Sequence, residues 1–227
     1  MKAAVLVDGG FYIKKYVSAW RKKREVTKGY PDPLTVVDEL YTRSLSNISS
    51  KNKHLDSPKE LYRILFYDCK PFSEGSLNPV SKIYTDYART ETATFRNSLH
   101  DILKKKRKVA LRLGRIAEKP RWLLTAQKTK EILSNPEVFS PFEDDDVRLD
   151  IRQKGVDMKI GLDIASLALK KMVDQIILIS GDSDFVPAAK LARREGIDFI
   201  LDTLGNHIND DLHEHIDALL SQRIRID

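Results

Sequence analysis

Two short apolar segments, far apart in the chain, each run directly into carboxylates. Residues 3–7 lead into Asp8, and residues 175–179 lead into residues 180–184, which read Ser-Gly-Asp-Ser-Asp. Runs this apolar are typical of strands that are buried on both faces of a parallel sheet. If the strand order reverses between these two strands, both carboxyl ends open onto one crevice, where open α/β sheets bind their ligands. The pattern therefore predicts an acidic pocket at that edge of the sheet.

Strand-like and helix-like segments alternate along most of the chain, which predicts an α/β fold with a mostly parallel central sheet flanked by helices. We expect one domain over residues 1–227, with its core at about 3–118 and 154–205. The predicted strands cover residues 3–7, 61–67, 109–116, 175–179 and 197–201. The predicted helices cover residues 10–24, 33–49, 79–107, 158–173, 184–195 and, at the C-terminus, 209–221.

Residues 119–153 interrupt this alternation, and we interpret them as an insertion. Residues 122–124 and 147–152 favour β-structure, with the second segment as an edge strand or extended arm. Residues 125–133 favour a short helix between them. The prolines and the acidic run 143–146 that follow this helix indicate turns.

Composition limits the class of protein. The chain has 227 residues, of which 41% are hydrophobic, so it can bury one sizeable core. Cys69 is its only cysteine, which excludes an intramolecular disulfide and a thiolate zinc cluster and suits a reducing compartment such as the cytoplasm. Apolar runs stay far below the about 18 residues that span a bilayer, so we expect neither a signal peptide nor a membrane anchor.

The two halves of the chain carry opposite charge. Residues 1–130 hold 28 Lys and Arg against 13 Asp and Glu, whereas residues 131–227 hold 11 against 20. A basic part joined to an acidic part suits a protein that acts on a polyanion, with cations along the backbone and a metal ion at the reacting bond. An uneven but merely solvated surface explains the same numbers, so both interpretations stay open.

Several carboxylates are candidates for holding a divalent cation, because hard Mg²⁺ or Mn²⁺ prefers carboxylate oxygen. Helix geometry limits whether Asp157 and Asp163 can bind the same ion. Six residues turn a helix by roughly 600°, so these two side chains share a face only if Asp157 precedes the helix. Four of these acids also have an ordinary explanation as a helix cap or first-turn residue, namely Asp8, Asp157, Asp182 and Asp184. The candidates are Asp8, Asp157, Asp163, Asp182 and Asp184.

Three motifs together resemble the NYN domain of the LabA-like group, a branch of the PIN-like nucleases. They are Val7-Asp8-Gly9, Lys154-Gly155-Val156-Asp157 followed by Asp163, and the more specific Ser-Gly-Asp-Ser-Asp-Phe-Val-Pro of residues 180–187. The resemblance extends from about residue 3 to residue 205. It implies a PIN-like Rossmannoid sheet and a ribonuclease dependent on Mg²⁺ or Mn²⁺, with Asp8, Asp157, Asp163 and Asp182 as the acidic centre and Asp184 adjoining.

Gly10 departs from this family pattern, because many relatives carry Asn two positions after the first Asp. The loss of a polar group there keeps a second hypothesis open, namely a module of the same fold that binds RNA and regulates without efficient cleavage. A phosphatase with an aspartyl-phosphate intermediate is disfavoured, since it requires Asp-x-Asp at the first strand and Gly10 occupies the second position.

Other residues are candidates for contact with the substrate, which we expect to be single-stranded RNA. Tyr12 is a candidate for stacking on a base, whereas Phe11 is expected in the core. Lys154 is a candidate to neutralise charge at phosphorus, and Ser180 to orient a ligand or water. Phosphate contacts are predicted for Lys14 and for the basic run 104–108, in particular Lys104, Lys105 and Arg107. A homo-oligomer is compatible with these features.

Overall fold

The computed structural model describes residues 1–49, 59–117, 120–134, 136, 141–207 and 213–226. Its strands are β1 (Lys2–Asp8), β2 (Glu60–Cys69), β3 (Gly75–Leu77), β4 (Tyr84–Asp86), β5 (Val109–Ile116), β6 (Arg121–Leu124), β7 (Val147–Asp150), β8 (Gln153–Lys154), β9 (Gln175–Ile179), β10 (Asp198–Asp202) and β11 (Ala218–Leu220). Its helices are α1 (Gly9–Arg24), α2 (Pro33–Asn47), α3 (Glu91–Lys105), α4 (Ala126–Ser134), α5 (Val156–Leu169) and α6 (Val186–Arg194).

The large central sheet is mostly parallel. Within the described residues it has the strand order β11-β10-β9-β1-β2-β5-β8, and β8 alone runs antiparallel, to β5. Helices α1, α2 and α3 pack on one face together with Val5 and Val7, whereas α5 and α6 pack on the other together with Ala4 and Leu6. Successive residues of a strand point to opposite faces, which is why one apolar strand supplies both layers. The predicted α/β class with helices flanking a parallel sheet is confirmed.

The strand order reverses beside β1. From β1 the chain adds β2 and then β5 on one side, and it later returns to add β9, β10 and β11 on the other side. Val7 of β1 is level with Ile179 of β9 in the parallel register. Asp8 and Ser180 therefore leave the sheet side by side at its carboxyl edge, as the two acid-ended strands predicted.

Two of the predicted helices are wrong in part. The helix predicted for residues 79–107 is replaced at its start by β4 and a 3-10 turn at residues 87–89, and α3 begins only at Glu91. The Thr90 side chain accepts a hydrogen bond from the Ala93 amide at 3.3 Å, so it caps α3 and sets its first residue. Propensity alone misses such a start because local side-chain bonds compete with the helix.

The C-terminal helix predicted for residues 209–221 is wrong over residues 214–221. Residues 218–220 form β11, which pairs in parallel with β10. Residues 208–212 lie outside the described residues. A short apolar run such as Ala-Leu-Leu has no period of its own, so the open edge of β10 decides its conformation.

The described residues between 121 and 154 lie mostly outside the central sheet. Strands β6 and β7 pair antiparallel with each other, and α4 lies between them in sequence. The Trp122 indole donates a hydrogen bond to Ser76 Oγ at 3.0 Å, which joins this arm to β3. The predicted short helix is present. Of the two alternatives predicted for residues 147–152, the extended arm forms rather than an edge strand of the central sheet, and β8 then leads the chain back beside β5.

None of the helices in the described part of the chain combines the length and the apolar character needed to cross a membrane.

The turn from β1 into α1 generates a stability prediction. A Cβ atom at Gly9 would lie 2.5 Å from the Tyr67 carbonyl oxygen and 2.6 Å from the Phe66 ring, whereas one at Gly10 would meet only an Asp8 carboxylate oxygen, at 3.4 Å. We expect Gly9→Ala to destabilise the protein by about 1–3 kcal/mol through overpacking. We expect Gly10→Ala to be neutral or to stabilise it by up to about 1 kcal/mol through helix propensity.

Urea denaturation of the two variants measures this difference. Gly10→Ala is the matched control, because it adds the same methyl group to the adjacent position of the same helix turn. Equal changes in the free energy of unfolding would contradict the close approach of Gly9 to β2.

Candidate functional site

Asp8 and Asp182 are brought together by the ends of β1 and β9. Asp8 caps α1, with its Oδ1 accepting a hydrogen bond from the Phe11 amide at 3.0 Å. Asp182 caps the following 3-10 turn, with its Oδ1 accepting from the Asp184 amide at 3.0 Å. The buried Ser180 lies between them, since its Oγ donates to Asp8 Oδ2 at 3.4 Å and accepts from the Asp182 amide at 3.3 Å. Capping thus fixes the orientation of both carboxylates.

Two further acids lie close enough to Asp8, to Asp182 or to each other for electrostatic repulsion. Asp157 lies in the first turn of α5, and Asp184 lies in the 3-10 turn capped by Asp182. Burial raises the pKa of Asp8, and repulsion from Asp157 and Asp182 raises it further. Burial also raises the pKa of Asp157, with added repulsion from Asp182 and Asp184. Carboxylates from three separate parts of the chain are therefore close enough to oppose each other's ionisation.

Asp8 and Asp182 line a shallow depression of about 400 Å³, which we call the acidic crevice. It is open at the carboxyl edge of the sheet, and Gly181 allows the loop after β9 to approach the Phe11 ring closely. Its lining consists of Asp8, Gly10, Phe11, Lys14 and residues 180–183.

The acidic crevice is chemically suited to Mg²⁺ or Mn²⁺. Among the described residues, no three His, Cys, Asp or Glu side chains form a ready cluster for a metal ion. Mg²⁺ does not require such a cage, because it is commonly held by one or two carboxylates, several waters and a substrate phosphate. The Oδ2 atoms of Asp8 and Asp182 take no part in capping. A cation beside them would also relieve the repulsion that raises the pKa of Asp8.

Asp163 lies in a separate network on the α5 side of the sheet. Its Oδ2 accepts a hydrogen bond from the Tyr67 hydroxyl at 2.8 Å and is 3.3 Å from Arg112 Nε. Burial, followed by the bond to Asp163, strongly raises the pKa of Tyr67. Asp163 follows Asp157 by six residues, which carries it about 9 Å along the helix axis. The structure shows no contact between Asp163 and the acids of the crevice within the described residues.

Of the two aromatic residues after Gly10, Tyr12 is more deeply buried than predicted. Tyr12 is fully buried, and its hydroxyl donates to the Val36 carbonyl at 3.1 Å and to Glu39 of α2. It faces the core, so the prediction that Tyr12 stacks on a base is wrong. Phe11 is half-buried and packs against the core, as predicted, and it also lines the crevice together with the exposed Lys14. The direction of α1 as it leaves β1 decides which of two adjacent aromatics points inward.

The predicted phosphate contacts in the basic run 104–108 lie far from the crevice. Lys108 pairs with Glu60 at 3.1 Å, and Glu60 is the register partner of Lys2 at the amino edge of the sheet. Lys2 precedes Asp8 by six residues of strand, or about 20 Å. The structure thus places the exposed Lys104, Lys105 and Arg107 with the amino edge, away from the predicted reaction site.

Lys154 lies nearer to the acids. It is exposed in β8, three residues before Asp157. Gly155, with a φ of 80°, turns the chain from β8 into α5 and separates Lys154 from the first residue of the helix. A role for Lys154 at a substrate phosphate stays a prediction.

Sequence reasoning missed one buried polar cluster beside the crevice. Asp68 follows Tyr67 near the end of β2 and is fully buried. Its two carboxylate oxygens are each 2.7 Å from a partner on α3, Arg96 Nη1 and His100 Nε2. The sequence could have indicated this cluster. Asp68 is a third carboxylate at the end of an apolar strand, and Arg96 and His100 are spaced four residues apart on one helix face.

The sequence pattern of the NYN domain matches residues 80–220, more than half of the chain. The chain belongs to the NYN domain family. NYN domains are part of the PIN-like superfamily, so the sheet described above is a PIN-like fold. The matched stretch includes Asp157 and Asp182 but begins after β1. The association of Asp8 with this NYN region therefore comes from the pairing of β1 with β9. Membership in the LabA-like group stays a prediction.

Comparison with other proteins adds little to this assignment. No curated protein matches the chain. A solved protein of unknown function from Vibrio parahaemolyticus is similar with a TM-score of 0.43 and 16% identity, over 96% of this chain and 91% of that one. A structure titled "Structural Basis for the Mechanism and Regulation of Sir2 Enzymes" is similar with a TM-score of 0.34 and 9% identity, over 98% and 87%. These likenesses are too weak to carry an argument.

The raised pKa of Asp8 generates a second prediction. A carboxyl group whose pKa is raised by folding costs stability when it is ionised, and this cost disappears as the pH falls below its unfolded value. Asn keeps the capping oxygen, because Asn and Asp are equivalent N-caps. We therefore expect Asp8→Asn to raise the free energy of unfolding at pH 7 in EDTA, and to lose this advantage at low pH.

Addition of Mn²⁺ should reverse the order of stability, so that wild type becomes more stable than Asp8→Asn. Saturating ion at 100 times its dissociation constant stabilises a one-site protein by about 2.7 kcal/mol, and this gain requires the charged Asp8. Asp8→Ala is the control for the cap, because relative to Asp8→Asn it should cost about 0.5–2 kcal/mol in either buffer. An equal response of wild type and Asp8→Asn to Mn²⁺ in thermal denaturation would contradict an ion at Asp8.

Proposed function

We propose that this protein is a metal-dependent ribonuclease that hydrolyses phosphodiester bonds of single-stranded RNA at the acidic crevice. The observation that carries the proposal is the convergence of Asp8, Asp157 and Asp182 from β1, α5 and the loop after β9. Partial burial, followed by repulsion from neighbouring carboxylates, raises the pKa of Asp8 and of Asp157. Acids with perturbed pKa values in a cleft are typical of functional sites, and this cleft lies at the switch point of an NYN-family sheet.

The residues of the crevice have distinct roles in this proposal. Asp8 and Asp182 hold the ion through the oxygens that capping leaves available, and Asp157 adds charge from α5. Ser180 keeps the Asp8 carboxylate in place through its hydroxyl. Lys14, exposed at the rim of the crevice, binds a phosphate of the substrate. When bound, Mg²⁺ or Mn²⁺ supplies positive charge to the reacting phosphate and makes a water molecule more acidic.

A cleavage assay with matched variants tests the proposal. Labelled single-stranded RNA and DNA are incubated with the protein in Mg²⁺, Mn²⁺ or EDTA, and the products are separated by length. We expect metal-dependent cutting of RNA that falls at least about 100-fold in Asp8→Asn and Asp182→Asn. Even groups one step removed from a metal ion are commonly worth roughly 10- to 100-fold.

Asp101→Asn is the matched control, because Asp101 is an exposed acid on α3 that pairs with Lys104 in the basic run. It removes the same charge from the amino edge and should leave cutting unchanged. Cutting that persists in EDTA, or that Asp8→Asn leaves at the wild-type rate, would refute a metal-dependent ribonuclease at this crevice.

A second function is supported by a specific observation. One oxygen of Asp8 and one of Asp182 are engaged by backbone amides, and no three-residue metal cluster is present in the described part of the chain. This arrangement also suits a module of the same fold that binds RNA without efficient cleavage. In the assay above, RNA binding by all variants with no cutting in any metal would favour this second function.

A further inference from the structure

A second depression adjoins the acidic crevice and carries the opposite charge. It has a volume of about 360 Å³, lies between α1 and α3, and shares Gly10 and Lys14 with the crevice. We call it the basic groove. Its polar and charged lining includes Arg21, Thr92 and Arg96, and neither Asp nor Glu is among the described residues that line it.

The cations of the basic groove form a line that leads away from Asp8. Gly10, Lys14 and Arg21 line the groove from one side of α1. Eleven residues of helix separate Gly10 from Arg21, which corresponds to about 16 Å along the axis. Arg96 reaches the same groove from α3. A chain with regularly spaced negative charges can follow this line from the crevice outward.

The positive charge of the groove is only partly compensated. Lys14 is exposed and makes no ion pair within the described residues. Arg21 donates from Nε and Nη2 to the Gly29 carbonyl oxygen, at 3.1 and 3.0 Å, so its guanidinium is held in place by a neutral acceptor. Arg96 is held through Nη1 by Asp68, whose other oxygen is shared with His100. These contacts orient both arginines. Asp68 offsets the charge of Arg96, so the net positive charge of the groove comes from Lys14 and Arg21.

The aromatic residue of the groove is not available to stack on a base. The Tyr30 ring is stacked on Phe95 with centroids 4.7 Å apart, and the Arg21 guanidinium lies 5.4 Å from the Tyr30 ring centroid. The Tyr30 hydroxyl is also bonded to Thr92 at 2.8 Å. With Tyr30 engaged in this way, the groove offers cations rather than a stacking surface. Such a surface recognises phosphates and reads no sequence.

Gly10 lies where the two depressions meet. A Cβ atom there would contact only Asp8, at 3.4 Å, so the position faces open space. The glycine that departs from the family pattern therefore keeps the junction between the crevice and the groove free of a side chain.

We propose that the basic groove binds the phosphate backbone of the single-stranded RNA substrate on one side of the cleaved bond, through Lys14, Arg21 and Arg96. The identity of the substrate rests on the ribonuclease function proposed above. The contacts themselves depend only on the charge and spacing of the groove.

The salt dependence of binding tests this proposal without cleavage. Fluorescence anisotropy of a labelled 12-nucleotide oligouridine is measured in EDTA at several salt concentrations for wild type, Lys14→Gln and Lys14→Gln/Arg96→Gln. Each phosphate contact on a single strand contributes about 0.7 to the slope of log K against log salt. We expect this slope to become shallower by about 0.7 in the single variant and by about 1.4 in the double variant.

Lys105→Gln and its double variant with Arg107→Gln are the matched controls. These cations are exposed at the amino edge, and their loss changes the net charge by the same amounts. Their slopes should equal that of wild type. Slopes that are unchanged in the Lys14 variants, or that fall equally in the control variants, would overturn the proposal. Lys14→Gln keeps the test valid even if the loss of Arg96 disturbs Asp68, because Lys14 makes no ion pair in the described part of the chain.

A kinetic readout separates this proposal from the proposed function. With active protein in Mn²⁺, Lys14→Gln should raise KM about tenfold and leave kcat near wild type, as expected for a contact made equally in the ground and transition states. If wild type cuts RNA but Lys14→Gln changes neither KM nor the salt slope, RNA binding by the groove is refuted and the nuclease proposal stands. If wild type does not cut but the slope responds, the groove binds RNA and the nuclease is refuted.

Discussion

The parallel pairing of β1 between β9 and β2 is the constraint on which the rest of the structure depends. Residues 3–7 are completely buried, so their amide and carbonyl groups require partners on both sides. Because β9 returns to one side and β2 occupies the other, the strand order reverses at β1. This reversal alone brings Asp8 beside Ser180, although 171 residues separate them in sequence. Gly9 allows α1 to start at once, against the end of β2.

Capping and ion binding are compatible functions of the same carboxylates. In Asp8 and Asp182 one oxygen accepts a backbone amide and thereby fixes the rotamer of the side chain. The other oxygen takes no part in capping, and in Asp8 it accepts a hydrogen bond from the buried Ser180 hydroxyl. The arrangement places acids close together and raises the pKa of Asp8, so the site reduces the stability of the empty protein. Such costs are common where a protein is organised for a ligand.

The charge asymmetry of the sequence has a more local meaning in three dimensions. Part of the basic run 104–108 forms ion pairs at the amino edge, where Lys106 pairs with Asp38 and Lys108 pairs with Glu60. The cations next to the crevice come from α1 and α3. Acidic and basic depressions that share Gly10 and Lys14 bring opposite charges within one short path. A polyanionic substrate could then lie with its phosphates on the basic groove and the reacting bond at a metal ion in the crevice. The proximity of the two charges, and not the net charge of the protein, allows this.

The sequence by itself determined the α/β class, the bounds of β5 and β9, and the acid-ended strands, because apolar runs and their interruptions are local signals. It also contained the family motif at residues 180–187. Only the tertiary structure decided that Asp163 bonds to Tyr67 and Arg112, that Tyr12 is buried while Phe11 lines the crevice, and that residues 218–220 are a strand. These outcomes depend on how a helix is rotated against the sheet and on which strand edge is open. Both are set by residues distant in sequence, so no local pattern carries them.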